Sequence, residues 1–334
     1  MSSNDTVVFP SQETVTIEER SVPEPGPEQV LIETDLTLIS TGTELTVLSG
    51  SFPEDSNWAA HATYPFTPGY NNVGRVVEVG DDVTEIDVGQ RVATLGSHAQ
   101  YVVTAPGACR PIPDGISDDE AVFFTFAEIG MNGVRRGEVT WGQSVVVTGL
   151  GLLGQIALRC CQVAGARPVV GVDVAPSRLE YLPDRAGVAG VNPIEEDTAE
   201  AVSSLTGGRL ADVAFEVTGN PDTITGQFEP LRDQGRLVVL GSPRGPTSID
   251  FHDYCNSPSY HIVGAHNNSH PPVATPQNPW TKKRHCELFF EYLSDGSLSV
   301  DSLVSHRRPY SDAPDLYASL LEDRTDMMGV LLEW

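Results

Sequence analysis

Ser144–Thr148 is three valines bounded by Ser and Thr, the form of a short buried strand. Gly149, Gly151 and Gly154 follow at once, and Gln155–Ala164 then runs without a breaker to Gly165, as a helix should. A second apolar run, Pro168–Val172, ends in Asp173, nineteen residues beyond Gly154. No other stretch constrains the fold as much. Glycines in G-x-G-x-x-G spacing are a weak signal alone, but a strong one when a strand precedes them, a helix follows and an acid tips the next strand. The first glycine allows a tight turn, the second lets a ligand approach the backbone, and the third brings helix and strand close. The N–H groups that open the helix are free to hold phosphates. Gly149, Gly151, Leu152, Leu153 and Gly154 are therefore the candidate phosphate-binding residues, and a dinucleotide is the ligand they imply.

Asp173 bears on which dinucleotide. A carboxylate there accepts hydrogen bonds from ribose hydroxyls and repels a 2′-phosphate, and Val174 follows it instead of Arg or Lys. Arg178, the nearest cation, is expected to fold back over the adenine. NAD is favoured over NADP on this reading. The strand-and-turn rhythm continues downstream. Val188–Val191 reads as a short strand, Asp212–Val217 leads to Thr218 and Gly219, Arg236–Leu240 leads to Gly241 and Ser242, and His261–Val263 leads to Gly264. Helix-like stretches, Asp197–Leu205 and Thr223–Leu231, lie between them. The class is α/β, with a doubly wound parallel sheet over residues 120–266. Ligands bind at the carboxyl ends of such strands, which places Thr218, Gly219, Gly241 and Ser242 beside the cofactor.

Residues 1–119 have another texture. Short β-rich segments such as Gln29–Glu33, Gly74–Val79 and Gln100–Val103 are broken by Gly and Pro, the pattern of a small antiparallel, barrel-like domain. Residues 267–334 open as a Pro/Asn/His-rich loop. They then offer helices over Lys282–Leu293 and Ala313–Glu322 and a final strand from Gly329. At 334 residues two domains are expected. The N-terminus has no basic region before an apolar run, and no apolar stretch approaches the roughly 18 residues a membrane span needs, so a cytoplasmic protein is expected. Acids outnumber bases 46 to 20, for a net charge of −26, and only Lys282 and Lys283 are lysines. This dispersed acidic, lysine-poor surface suits a halophilic protein and excludes the basic footprint that nucleic acid requires. Cys109, Cys160, Cys161, Cys255 and Cys286 form no metal or disulfide spacing and read as buried small hydrophobes.

The order of a β-rich domain, a dinucleotide fold and a returning tail resembles the medium-chain dehydrogenase/reductase superfamily. Gly74–Gly80, Val88–Val92, Pro111–Gly115 and Gly235–Gly241 carry the resemblance. It implies a GroES-like catalytic domain and a Rossmann domain, with substrate and nicotinamide in the cleft. It also implies a small-molecule substrate and a homodimer or homotetramer, with the strand at His261–His266 a candidate for pairing across a dimer. Zinc members carry Cys-Gly-Thr-Asp and Gly-His-Glu phrases. Here Thr41–Glu44 and Gly69–Asn71 stand in their places, so Thr41 and Tyr70 replace a cysteine and a histidine. A hydroxyl and a phenol are poor zinc ligands, and zinc is expected to be absent. Ser40–Glu44 with Pro68–Tyr70 and Gly74 is similar to the branch containing bacteriochlorophyllide dehydrogenase, which oxidises a secondary hydroxyethyl group.

These comparisons imply an NAD(H)-dependent oxidoreductase interconverting a secondary alcohol and a ketone. Tyr70 is the first candidate for the catalytic group on the substrate oxygen. Thr43 stands at the family's hydroxyl relay, and Glu44 and Asn71 are candidates to orient them. The plainer readings are wall packing for Tyr70, a turn for Thr43, and an ion pair from Glu44 to Arg75 or Arg91. His98 could face the cleft, His61 lies in the loop before Tyr70, and His266 and His270 follow the last Rossmann strand. Two other functions stay open. One is an enone reductase using NAD(P)H, and the other is a dinucleotide-binding protein without catalysis.

Overall fold

The computed structural model describes residues 3–334. They divide into two compact units, one of residues 3–125 with 286–334, the other Phe126–His285.

In the first unit β1 (Ser3–Ser11) and β2 (Thr14–Ser21) form an antiparallel pair. A seven-stranded sheet contains β3 (Val30–Leu38), β4 (Asn72–Val79), β5 (Arg91–Thr94), β6 (Tyr101–Thr104), β7 (Arg110–Pro111), β14 (Val304–Pro309) and β15 (Gly329–Glu333). Its order is β14-β15-β3-β4-β5-β7, with β6 also on β3, and only β14 and β15 pair in parallel. The tail returns to the first half of the chain by setting Leu332 of β15 opposite Thr37 of β3. Val30, Ile32, Val76 and Val92 fill one core, and Phe9, Leu48, Tyr317 and Leu332 anchor another. Each such side chain stabilises the fold by roughly 1.5–3 kcal/mol when fully buried.

The second unit holds β8 (Val145–Thr148), β9 (Val169–Val172), β10 (Val188–Val191), β11 (Ala211–Glu216), β12 (Leu231–Val239) and β13 (His261–Gly264). All pair in parallel in the order β10-β9-β8-β11-β12-β13. The chain reverses direction across the sheet between β8 and β11, which makes a switch point at the end of β8.

The stretch Thr223–Leu231, expected as a helix, is instead covered by 3-10 turns at Pro221–Thr223 and Thr225–Phe228, and β12 already begins at Leu231. Gly226 and Pro230 explain the difference, the one by its backbone freedom and the other by its missing N–H. Cys255 is also only half-buried, unlike the other four cysteines. It lies in the short π-helix His252–Asn256, where no residue is buried. Among the described residues no helix is long and apolar enough to cross a membrane.

Candidate active site

The glycine turn sits at the switch point. Gly149 has φ +94°, and a Cβ there would lie 2.8 Å from the Thr218 nitrogen. A Cβ on Gly154 would lie 1.8 Å from the Gly149 oxygen, so this glycine is what lets the helix close on the strand. A Cβ on Gly151 would meet no protein atom within 4 Å. The first and third glycines thus serve the protein's own packing, and the second faces open space. Gly151 also precedes the helix Leu152–Val163 without any side-chain cap, which leaves the first-turn N–H groups, from Leu152 onward, available to an anion.

Asp173 is half-buried at the tip of β9. Its Oδ2 accepts from the Leu150 N–H at 2.7 Å and its Oδ1 from the Ala175 N–H at 2.9 Å. The carboxylate therefore braces the glycine turn and keeps lone pairs for further donors. Val174 is 58% exposed, and Arg178, expected over the adenine, is only 7% exposed. The Arg178 carbonyl accepts from Gln155 Nε2 at 2.9 Å.

Thr218 and Gly219 are organised by a residue that sequence reasoning missed. Glu216, fully buried, accepts from the N–H groups of Thr218 (2.7 Å) and Gly219 (3.0 Å) and from the Thr218 hydroxyl (2.5 Å). Burial pushes its carboxyl above the usual carboxylate range, although Thr218 and Gly219 pull the other way. Gly241 lies against the same carboxylate, where a Cβ would be 2.9 Å from Oε2. Ser242 is exposed, and its carbonyl faces Gly219.

In the first unit a hydroxyl cluster forms. The half-buried Tyr70 hydroxyl donates to Ser40 Oγ and makes a longer contact, 3.4 Å, to Thr43 Oγ1. Burial foremost, with the nearby Glu44, pushes the Tyr70 phenol up to about 12, against its hydrogen bonds to Ser40 and Thr43. Thr125 Oγ1 donates to the Tyr70 carbonyl at 3.2 Å. Asn71 is buried, with its amide nitrogen 3.5 Å from the Leu38 carbonyl.

Glu44 does not pair with Arg75 or Arg91. Arg75 lies 3.6 Å from Asp35 and Arg91 2.5 Å from Asp118, both in more exposed settings, whereas Glu44 is buried. Its carboxylate accepts from Ser40 N–H (3.0 Å), His98 Nε2 (3.1 Å) and the Tyr317 hydroxyl. His98 is wholly buried in that network. His61 packs edge-on against Trp58 and Phe66, His266 is exposed, and His270 is buried against His285. Among the described residues no three His, Cys, Asp or Glu side chains come together as metal ligands.

A glycine turn of this form at the switch point of the β10-β9-β8-β11-β12-β13 sheet defines a dinucleotide-binding class. Comparison with known proteins gives the family. Residues 26–154 match the alcohol dehydrogenase GroES-like domain and residues 153–277 the zinc-binding dehydrogenase domain. The chain is 30% identical over 266 residues to D-guloside 3-dehydrogenase of Escherichia coli (strain K12), covering 77% of this chain and 75% of that one. Its fold is similar to an Escherichia coli oxidoreductase/dehydrogenase of unknown specificity involved in membrane biogenesis (TM-score 0.84, 21% identity, 99% of each chain). It is also similar to a Sinorhizobium meliloti 1021 protein solved with NADP bound (TM-score 0.82, 22% identity, 100% of each chain). The chain belongs to the medium-chain dehydrogenase/reductase superfamily. It is an NAD(P)-dependent oxidoreductase with a GroES-like and a Rossmann domain.

Proposed function

We propose that the protein interconverts a secondary alcohol and a ketone with NAD(H), without zinc. The observation that carries this reading is the Tyr70 hydroxyl, tied to Ser40 and near Thr43. A phenol serves both redox states: its O–H, turned from Ser40 Oγ while the Ser40 hydroxyl donates to it instead, donates to a ketone oxygen, and its oxygen accepts from an alcohol O–H. With its pKa pushed up to about 12, Tyr70 stays protonated at neutral pH and is a donor. Glu44 orients Ser40, and Asn71 lines the same turn. The D-guloside 3-dehydrogenase similarity supports a ring-borne secondary alcohol.

The nicotinamide, when bound, supplies the hydride acceptor or donor. Gly149, Gly151, Leu152, Leu153 and Gly154 hold its phosphates, with Thr218, Gly219, Gly241 and Ser242 along the neighbouring strand ends. Asp173 holds the adenosine ribose. The absence of a cation at Val174 and the burial of Arg178 support NAD over NADP. Zinc does not fit the donor set: Thr41 and Tyr70 offer a hydroxyl and a phenol, and Glu44 and His98 are engaged with each other. The open edge of β13 supports a homodimer, which sedimentation would read directly.

Turnover of a panel of secondary alcohols, ketones and enones by protein purified at high salt tests the reaction. Tyr70→Phe should lower kcat more than cofactor affinity, and a wild-type rate would remove Tyr70 from the chemistry. One tightly held zinc per chain would overturn the metal-free reading, and NAD binding without any turnover would overturn the enzymatic one.

A further inference from the structure

Glu44 is buried and pairs with neither Arg75 nor Arg91, and its two oxygens collect three donors, one from its own turn and two from distant parts of the chain. Oε1 takes the Ser40 N–H at 3.0 Å. Oε2 takes His98 Nε2 at 3.1 Å and the Tyr317 hydroxyl. All three side chains are at most 2% exposed, so solvent cannot substitute for a missing donor. Each partner is fixed in turn. Tyr317 stands on the helix Ala313–Glu322 with its ring edge-on to Phe9, centroids 5.2 Å apart. His98 donates its backbone N–H to the Pro68 carbonyl at 2.9 Å and accepts at its own carbonyl from Val7.

His98 also occupies the space beside Gly69. A Cβ on Gly69 would lie 2.4 Å from the His98 nitrogen and 3.0 Å from its Cγ, and Gly69 takes φ +105° there. The turn that presents Tyr70 is thus moulded onto His98, and the turn that presents Ser40 is pinned by Glu44. The Glu44–His98 contact joins the two. The Tyr70–Ser40 hydrogen bond spans the resulting frame.

We infer that Glu44, His98 and Tyr317 act together as a buried positioning set that holds the Ser40 and Tyr70 hydroxyls in register for the substrate oxygen. This rests on the reading of Tyr70 given above. None of the three needs to touch substrate or change protonation state. Their work is geometric, and a misplacement of about 1 Å at a reacting group costs on the order of a hundredfold in rate.

The test is a double-mutant cycle between Tyr317→Phe and Tyr70→Phe, run on the full chain with the panel substrate that turns over fastest. Tyr317→Phe removes one donor and keeps the ring. It should lower kcat about ten- to a hundredfold while KM and NADH affinity stay within about twofold. In the Tyr70→Phe background the same substitution should cost almost nothing more, because the group it positions is gone. Equal fold-losses in both backgrounds, or a wild-type kcat for Tyr317→Phe, would overturn the positioning set while leaving Tyr70 in place. A wild-type rate for Tyr70→Phe alone would instead sink the reading of Tyr70. If Tyr317→Phe does not fold, His98→Gln and His98→Leu replace it in the cycle. Gln still donates to Glu44 and should retain most of kcat, whereas Leu should not, and equal rates for the two would refute the inference.

Discussion

Asp173→Asn separates the observed from the proposed task of one carboxylate. Its oxygens accept from the Leu150 N–H at 2.7 Å and the Ala175 N–H at 2.9 Å. Asn offers one oxygen and one NH2, so one backbone donor must face another donor. A hydrogen bond to a charged group contributes about 1.5–3 kcal/mol and a neutral one about 0.5–1.5 kcal/mol. Losing one bond and weakening the other would cost about 2–4 kcal/mol in a dry setting. Asp173 is half-buried, and water replaces part of the loss, so about 1–2 kcal/mol is expected. That lowers the thermal midpoint by roughly 3–6 °C. The second task is electrostatic. A unit charge pair at 4 Å interacts by about 1 kcal/mol in water and about 4 kcal/mol near a protein surface. Removing the carboxylate should therefore shift the NAD-to-NADP affinity ratio toward NADP by about tenfold at low salt, and by less at ~1 M salt. Fluorescence titrations with NADH and NADPH at both salt levels, alongside thermal melts, read the two tasks independently. A lowered midpoint with an unchanged ratio would show that Asp173 braces the turn and nothing more, and that the ribose lies elsewhere.

Gly151 gives a cleaner probe of the phosphate turn, since a Cβ there meets no protein atom within 4 Å. Gly151→Ala should melt with the wild type yet bind NADH at least about tenfold more weakly, whereas Gly154→Ala should lose the turn itself; unchanged NADH affinity in Gly151→Ala would refute the assignment. Acid stability follows from His285. Burial first, then His270, Arg135 and Arg284, depress its pKa from 6.5 to about 3, so the unfolded chain binds the extra proton across that window. Stability should thus fall as pH drops below about 6.5, by up to ~1.4 kcal/mol per unit for this group, and His285→Gln should flatten the slope in denaturant melts. Salt should act through the net charge of −26: raising it from about 0.1 M to about 1 M shortens screening from ~10 to ~3 Å, and the midpoint should rise. A midpoint that falls would argue against a halophilic surface.

The cofactor half was legible because its logic is local. Strand, glycine turn, helix and acid follow one another from Ser144 to Asp173, and each glycine's role is set by atoms within that stretch or in the adjoining turn. The reading failed where tertiary context outranked local pattern. Thr223–Leu231 has helical spacing, but Gly226 and Pro230 and an early start to β12 leave room only for 3-10 turns. Glu216 lies inside the stretch Asp212–Val217, where no spacing marks it, although it organises the Thr218–Gly219 turn. Glu44 invited an arginine on paper. Besides Ser40, its partners instead lie 54 and 273 positions away, and no periodicity or spacing links them.

On the proposed function, that difference follows from the chemistry each half would perform. Phosphate binding needs backbone N–H groups, which a short contiguous motif can supply. Holding a substrate oxygen without a metal needs side-chain hydroxyls at a fixed angle. A divalent ion attracts an oxygen over a broad range of approach, but a hydrogen bond weakens steeply once its angle falls below ~120°. A site that relies on Tyr70 and Ser40 must therefore draw rigidity from its surroundings. One source beside them is the buried carboxylate of Glu44, with donors from Ser40, His98 and Tyr317. On the proposed function, exchanging a metal ligand set for a phenol would move the demand for precision from two or three coordinating residues onto the packing behind them, where no local motif records it.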